Sequence, residues 1–148
     1  GQAWSFTDLD AEGFRVASHN SSLNLFVMFH SRSCQACSNQ MRDFEAVART
    51  FAPLSDVMIA RLDADAFPSS ASPYTKHGIP AFVFFGQADR FFGLKPLPVT
   101  YADFRVAAAM AKFLNRKCGK KQKLVKVKGM LAIPEGLEEE LEEQGQGI

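Results

Sequence analysis

The stretch from Phe26 to Ser38 constrains this chain more than any other. Phe26-Val27-Met28-Phe29 is an apolar run, His30-Ser31-Arg32-Ser33 interrupts it, and Cys34-Gln35-Ala36-Cys37 comes next. Beyond the second cysteine, Met41, Phe44, Val47, Ala48 and Phe51 recur on one helical face, the mark of an amphipathic helix. A buried strand, a short loop and a helix opened by Cys-X-X-Cys is the layout of a dithiol redox site. A helix N-terminus carries unpaired N–H groups and a partial positive charge, and both favour a thiolate over a thiol. Cys34 stands at that end, with Ser33 placed as the N-cap. Cys37 falls about one turn later, near enough to close a small disulfide. Cys34 is therefore the candidate attacking thiolate, and Cys37 the residue that resolves a mixed disulfide.

Two other uses of a cysteine pair compete. Structural zinc takes four ligands, usually two such pairs or a cysteine pair with a histidine pair. Here one pair is accompanied by the distant Cys118 and by the scattered His19, His30 and His77, so no metal and no other cofactor is expected. A plain structural disulfide stays open, although two intervening residues at a helix start are the redox spacing.

The 148 residues are 47% hydrophobic with 14 Phe, enough for one domain with a proper core plus an appendage. A net charge of +1 gives no case for nucleic acid or an anionic membrane surface. No apolar run is long enough to span a bilayer, and no signal-peptide pattern opens the sequence. Asn20-Ser21-Ser22 is a possible glycosylation acceptor.

Taken in order, Ala3–Phe6 reads as a short edge strand, and Thr7 with Asp10 as the start of a helix reaching about Ser18. Leu23–Phe29 is a strand covered on both faces, and the helix from Cys34 ends near Phe51, ahead of Pro53. Val57–Leu62 is the next strand. Phe67–Lys76 is a weak helical segment, with Pro68 suiting its first turn and Pro73 cutting it. Ala81–Phe85 is a third apolar strand, Gly86–Asp89 a turn, and Arg90–Leu94 a strand pairing back as a hairpin. That places Phe84, Phe85, Phe91 and Phe92 in cross-strand packing, with Phe82 in the core. Thr100 with Asp103 repeats the cap signal before an amphipathic helix carrying Phe104, Ala107, Ala108, Ala111 and Leu114. The order β-α-β-α-β-α-β-β-α predicts an α/β domain, a central mixed sheet with helices on both faces.

Several stretches carry a family resemblance at once. Phe29–Cys37 resembles Phe-Tyr-Ala-Pro-Trp-Cys-Gly-His-Cys, and Ile59-Ala60-Arg61-Leu62-Asp63-Ala64-Asp65 resembles Val-Ala-Lys-Val-Asp-Ala-Asp. Gly78-Ile79-Pro80-Ala81 resembles Gly-Phe-Pro-Thr, and Phe113–Gly119 resembles the same domain's end. About residues 5–119 thus look like a thioredoxin-fold, catalytic-type domain of the protein disulfide isomerase family. The resemblance implies that Pro80 is cis beside the cysteine pair and that the Ile79 backbone bonds an extended substrate segment by strand addition. It also implies thiol–disulfide oxidoreductase or isomerase chemistry on cysteine-containing proteins or peptides, a chaperone-like role, and the endoplasmic reticulum lumen or the extracellular space.

The departures from that family matter as much. Ser33 replaces its Trp, Gln35 its Gly, Ala36 its His between the cysteines, Ser38 its Lys, and Arg42 its helix-kinking Pro. Its buried Glu is Met28, beside Arg61, which is then expected to turn toward solvent. Its mobile Arg before the last helix aligns with Val99. Those family groups stabilise the thiolate or move protons, so reduced oxidase and isomerase efficiency is expected. The remaining tuning falls to His30, as a protonated imidazole or merely in packing, and to Arg32 if it folds inward. The alternative is a low-turnover substrate-binding or chaperone-like module of the same fold.

Asp63 and Asp65 read as capping or solvated groups, and Cys118 as an ordinary thiol that ends the last helix, the alternative being a disulfide to another chain or a following domain. After Gly119 a lysine-rich run leads to six acidic residues within Glu135–Glu143. The expected organisation is a thioredoxin-like domain over residues 1–119 and a charged, solvated tail or linker over 120–148, with further domains of a longer chain as possible neighbours.

Overall fold

Alternation along the two central strands sorts the core into two layers. In the computed structural model, which describes residues 3–127, Asn24–His30 (β2) is buried throughout. Phe26 and Met28 face one layer and Leu25, Val27 and Phe29 the other, because successive side chains of a strand point to opposite faces. The first layer is closed by Gln35–Phe51 (α2) and Ala107–Cys118 (α4), through Phe44, Val47, Phe51, Met110 and Leu114. The second is closed by Ala11–His19 (α1) and the short Pro68–Ala71 (α3), through Phe14, Ala17 and Ala71.

Five strands form one mixed sheet in the order β1-β3-β2-β4-β5. Thr7–Leu9 (β1) and β2 each run parallel to Val57–Asp63 (β3), while Ala81–Phe85 (β4) is antiparallel to β2 and Val99–Thr100 (β5) antiparallel to β4. The element order is the one expected, and the fold is the thioredoxin fold.

Four local expectations are corrected. The first strand is Thr7–Leu9 and not Ala3–Phe6; Phe6 instead buries its ring 5.3 Å from Phe44. Asp10, not Thr7, caps α1, its carboxylate accepting the Gly13 N–H at 2.7 Å. The partner of β4 is β5 and not Arg90–Leu94. The Asp89 carboxylate takes the N–H groups of Phe91 (2.9 Å), Phe92 (2.6 Å) and Leu94 (3.3 Å), and the Asp89 N–H reaches the Leu94 carbonyl at 3.0 Å, so the segment closes on itself as a turn. Phe91 and Phe92 are accordingly 90% and 81% exposed, whereas Phe82, Phe84 and Phe85 are core. Finally, α4 begins at Ala107, whose N–H is accepted by the Asp43 carboxylate of α2 at 3.0 Å, and Phe104 lies outside it, exposed.

Gly119 ends α4 in the left-handed conformation (φ 64°), with its N–H bonded to the Asn115 carbonyl. The packed chain continues past it. The Asn115 amide exchanges two 2.9 Å bonds with the Gln122 backbone, and Thr50 Oγ accepts the Val125 N–H at 2.9 Å. Val127 is buried, and its carbonyl accepts from the buried Arg42 guanidinium at 2.6 Å. Residues 120–127, expected to be solvated, therefore lie against α2 and α4. The acidic segment Glu135–Glu143 lies outside the described residues.

Candidate dithiol site

The site forms where β2 ends and α2 begins. Cys34 is itself the N-cap of α2, in place of Ser33: its Sγ accepts the Cys37 N–H at 3.0 Å. Ser33 instead lies 3.3 Å from the Ser31 hydroxyl. Cys34 and Cys37 are joined as a disulfide with Cα atoms 5.2 Å apart. Cys37 is fully buried and Cys34 half-exposed, so an incoming sulfur reaches Cys34 first. The Cys37 N–H at the start of α2 points at the Cys34 sulfur, the side of a helix terminus that favours negative charge.

The peptide bond Ile79–Pro80 is cis. It brings the Ile79 carbonyl oxygen to 3.9 Å from Cys34 Sγ, with Ile79 half-exposed and Pro80 buried. Of the two residues implied as the substrate edge, Ile79 meets the sulfur through its carbonyl, with Pro80 next to it in the chain.

Two clefts lie near the site, one lined by chain neighbours of the cysteine pair and the other by Pro80. The first, of about 450 Å³, is lined by Asp8, His30, Arg32, Ser38, Met41, Arg61, Asp63 and Phe67 among others. Met28 lies next to Arg61 in the β2–β3 ladder and is fully buried, so no carboxylate stands at that position. Arg61 does not turn to solvent as expected. Its side chain is only 19% exposed, ion-paired to Asp8 at 2.7 Å and set with its guanidinium carbon 4.8 Å from the Phe6 ring centroid. The absence of a carboxylate at residue 28 is met by Asp8 on the neighbouring strand.

His30 is buried. Burial pushes its pKa below the ordinary imidazole value, Arg61 pushes the same way, and Asp63 and Asp8 oppose them. That direction disfavours the imidazolium, so of the two expectations for His30 it favours packing over a protonated ring. Arg32 does not fold inward: its side chain is 94% exposed, 3.9 Å from Asp63. Asp63 caps the turn after β3, accepting the N–H groups of Asp65 (2.9 Å) and Ala66 (3.3 Å).

The second cleft, of about 250 Å³, lies beside Pro80 and is lined by Tyr74, Lys76, His77, Phe82, Tyr101 and Arg105 among others. Arg105 escaped the sequence reading. Val99, aligned there with the family's mobile Arg, is a β5 residue paired with Phe84; the cation ahead of α4 is Arg105, its guanidinium carbon 5.7 Å from the Phe82 ring centroid. Counting back from the start of α4 at Ala107, and not forward from β4, would have found it.

Cys118 stands apart from the dithiol, half-buried, its pKa pushed up to about 11 by burial and by Asp56, with Lys120 opposing. Among the described residues, no three His, Cys, Asp or Glu side chains converge as a metal site, and no helix is long and apolar enough to cross a membrane.

Residues 5–97 match the thioredoxin family, and the chain belongs to that family. It is 30% identical over 138 residues to protein disulfide-isomerase 1 of Dictyostelium discoideum, covering 91% of this chain and 35% of that protein. It is 35% identical over 98 residues to protein disulfide-isomerase erp38 of Neurospora crassa, covering 65% of this chain and 25% of that one. The chain thus spans a quarter to about a third of the length of these relatives. Among solved structures, the Trx4 domain of ERdj5 superposes with a TM-score of 0.68 at 20% identity, over 78% of this chain and 97% of that one. Human ERp44 in its zinc-bound form gives 0.62 at 22% identity, over 75% and 29%. Both share the fold.

Proposed function

We propose that this domain is a thiol–disulfide oxidoreductase of the protein disulfide isomerase type, acting on cysteine-containing proteins or peptides through Cys34-Gln35-Ala36-Cys37. The observation that carries the reading is the Cys34–Cys37 disulfide at the start of α2, with the Ile79 carbonyl 3.9 Å from the accessible sulfur. In the reducing direction, the Cys34 thiolate attacks one sulfur of a substrate disulfide, and the other sulfur leaves as a thiolate. Cys37, once deprotonated, attacks Cys34 Sγ and expels the second substrate thiolate; two electrons pass to the substrate and the Cys34–Cys37 bond forms. Oxidation of a substrate dithiol is the reverse. Ile79 holds the substrate chain as an added strand while Pro80 shapes the floor.

Oxidase and isomerase efficiency is low in this reading. Ala36 places no imidazole between the cysteines, and the Gln35 amide bonds Asn39 at 3.0 Å, away from any charge on sulfur. A less stabilised thiolate makes the disulfide harder to reduce and lowers the potential, with 30 mV corresponding to about 1.4 kcal/mol. Met28 offers no base to accept the Cys37 proton. His30 tunes the site as a neutral, buried ring, Arg61 together with Asp8 sets the field behind the dithiol, and Arg32 contributes only from the rim. The relatives support work in the endoplasmic reticulum lumen or outside the cell. The buried apolar Met28 also favours a second reading, a low-turnover substrate-binding or chaperone-like module.

Turnover of insulin disulfides with a glutathione redox titration separates the two. Reduction that is lost in Cys34→Ser and titrates as a two-electron couple supports the enzyme. Peptide binding with no turnover in either protein supports the module.

A further inference from the structure

The two clefts beside the dithiol differ in charge. The one behind it mixes Asp8 and Asp63 with Arg32 and Arg61. The one beside Pro80 has Lys76 and His77 on one wall and Arg105 on the other, and no carboxylate among its lining residues. Lys76, His77 and Arg105 are exposed, and among the described residues none of them is ion-paired. Asp103, which accepts the Phe104 N–H at 2.7 Å and whose charge reaches Tyr101, lies outside that lining and is outnumbered by the three basic side chains. Between the two walls lie apolar and aromatic surfaces, Tyr74, Phe82 and Tyr101, that lower the local dielectric and strengthen any charge pairing above them.

We propose that this cleft makes the domain selective for acidic substrates: cysteine-containing segments with carboxylates within about three residues of the cysteine, received by Lys76 and Arg105. This rests on the disulfide-exchange reading for its chemistry but on the cleft alone for its selectivity. A chain held along Ile79 with its sulfur at Cys34 advances about 3.3 Å per residue, so the residues next to its cysteine pass over Pro80 and into the cationic cleft. The net charge of +1 provides no general attraction for anions, and any preference comes from the local arrangement.

The test uses the full chain and two disulfide-linked reporter peptides, one with Glu and one with Lys flanking the cysteines. Rates are normalised to the reaction of each peptide with dithiothreitol. The expected result is a preference of about tenfold or more for the acidic peptide at low salt, falling toward unity above about 0.5 M NaCl. Lys76→Glu/Arg105→Glu should reverse it, whereas Lys112→Glu/Lys121→Glu, with the same change in net charge at exposed positions elsewhere, should preserve it. Equal rates for the two peptides, or a preference untouched by Lys76→Glu/Arg105→Glu, would overturn the proposal. If neither peptide is reduced, the exchange reading fails separately. Fluorescence anisotropy of the same peptides with Ser for Cys then decides selectivity: tighter binding of the acidic one sustains it, and equal or reversed affinity overturns it.

Discussion

At the residue scale, an apolar side chain, Met28, stands beside Arg61 where the family resemblance implied a carboxylate. Met28 is packed in the core, and Arg61, left without a partner on β2, finds Asp8 on β1. Met28→Glu should therefore speed disulfide exchange by supplying a base behind Cys37. It should also lower the melting temperature, because a carboxylate is moved into an apolar layer. Stopped-flow exchange with glutathione and a thermal melt read the two effects together; slower exchange would sink the idea. His30 makes a second prediction through its lowered pKa. The folded state disfavours the imidazolium, so this contribution to stability is fully present above the ordinary imidazole pKa of about 6.5. It is lost as pH falls from there through the lowered folded-state value. Urea midpoints at pH 7.5 and 5.5 should differ in the parent and converge in His30→Phe. An unchanged difference would remove His30 from the pH response.

At the scale of elements, legibility tracked how local each cause is. β2, α2, β3 and β4 announce themselves by period and composition, and all four lie within a residue or so of their expected bounds. The Cys34–Cys37 pair was readable for the same reason, since a strand–loop–helix junction is written in consecutive residues. The misreadings have non-local causes. α4 is capped by Asp43 from another helix, and neither Thr100 nor Asp103 starts it. Phe91-Phe92 has strand composition, but one aspartate bends it into a turn, while Lys95 ties the loop to the Asn20 and Leu23 carbonyls at 2.8 and 3.2 Å. Residues 120–127 are lysine-rich in sequence, and their packing rests on Leu124, Val127, the Arg42, Thr50, Asn115 and Gln122 bonds and the Lys120–Asp56 ion pair. Burying Val127 alone is worth about 1.5–3 kcal/mol. Truncation after Gly119 should accordingly lower the melting temperature by at least about 5 °C, at roughly 4 °C per kcal/mol. Truncation after Val127 should melt above it, and equal melting of the two would show that the segment adds nothing.

For the whole molecule, the sheet works as a frame whose two central strands present the site at one end. Its parallel half ends at the β2–α2 junction and delivers Cys34; its antiparallel half begins at Pro80 and delivers Ile79. The two meet because β2 and β4 are neighbours, with Phe29 opposite Ala81. The proposed exchange depends on Cys34 being the attacking sulfur and Cys37 the buried one that resolves the bond. Trapping tests that division directly. Cys37→Ser, reduced and mixed with an excess of a cysteine-peptide disulfide, should accumulate a mixed disulfide that peptide mapping by mass spectrometry places on Cys34. Cys118, with its pKa pushed up to about 11, should remain a thiol at pH 7. An adduct on Cys118 alone, or no adduct on Cys34, would contradict this division of roles.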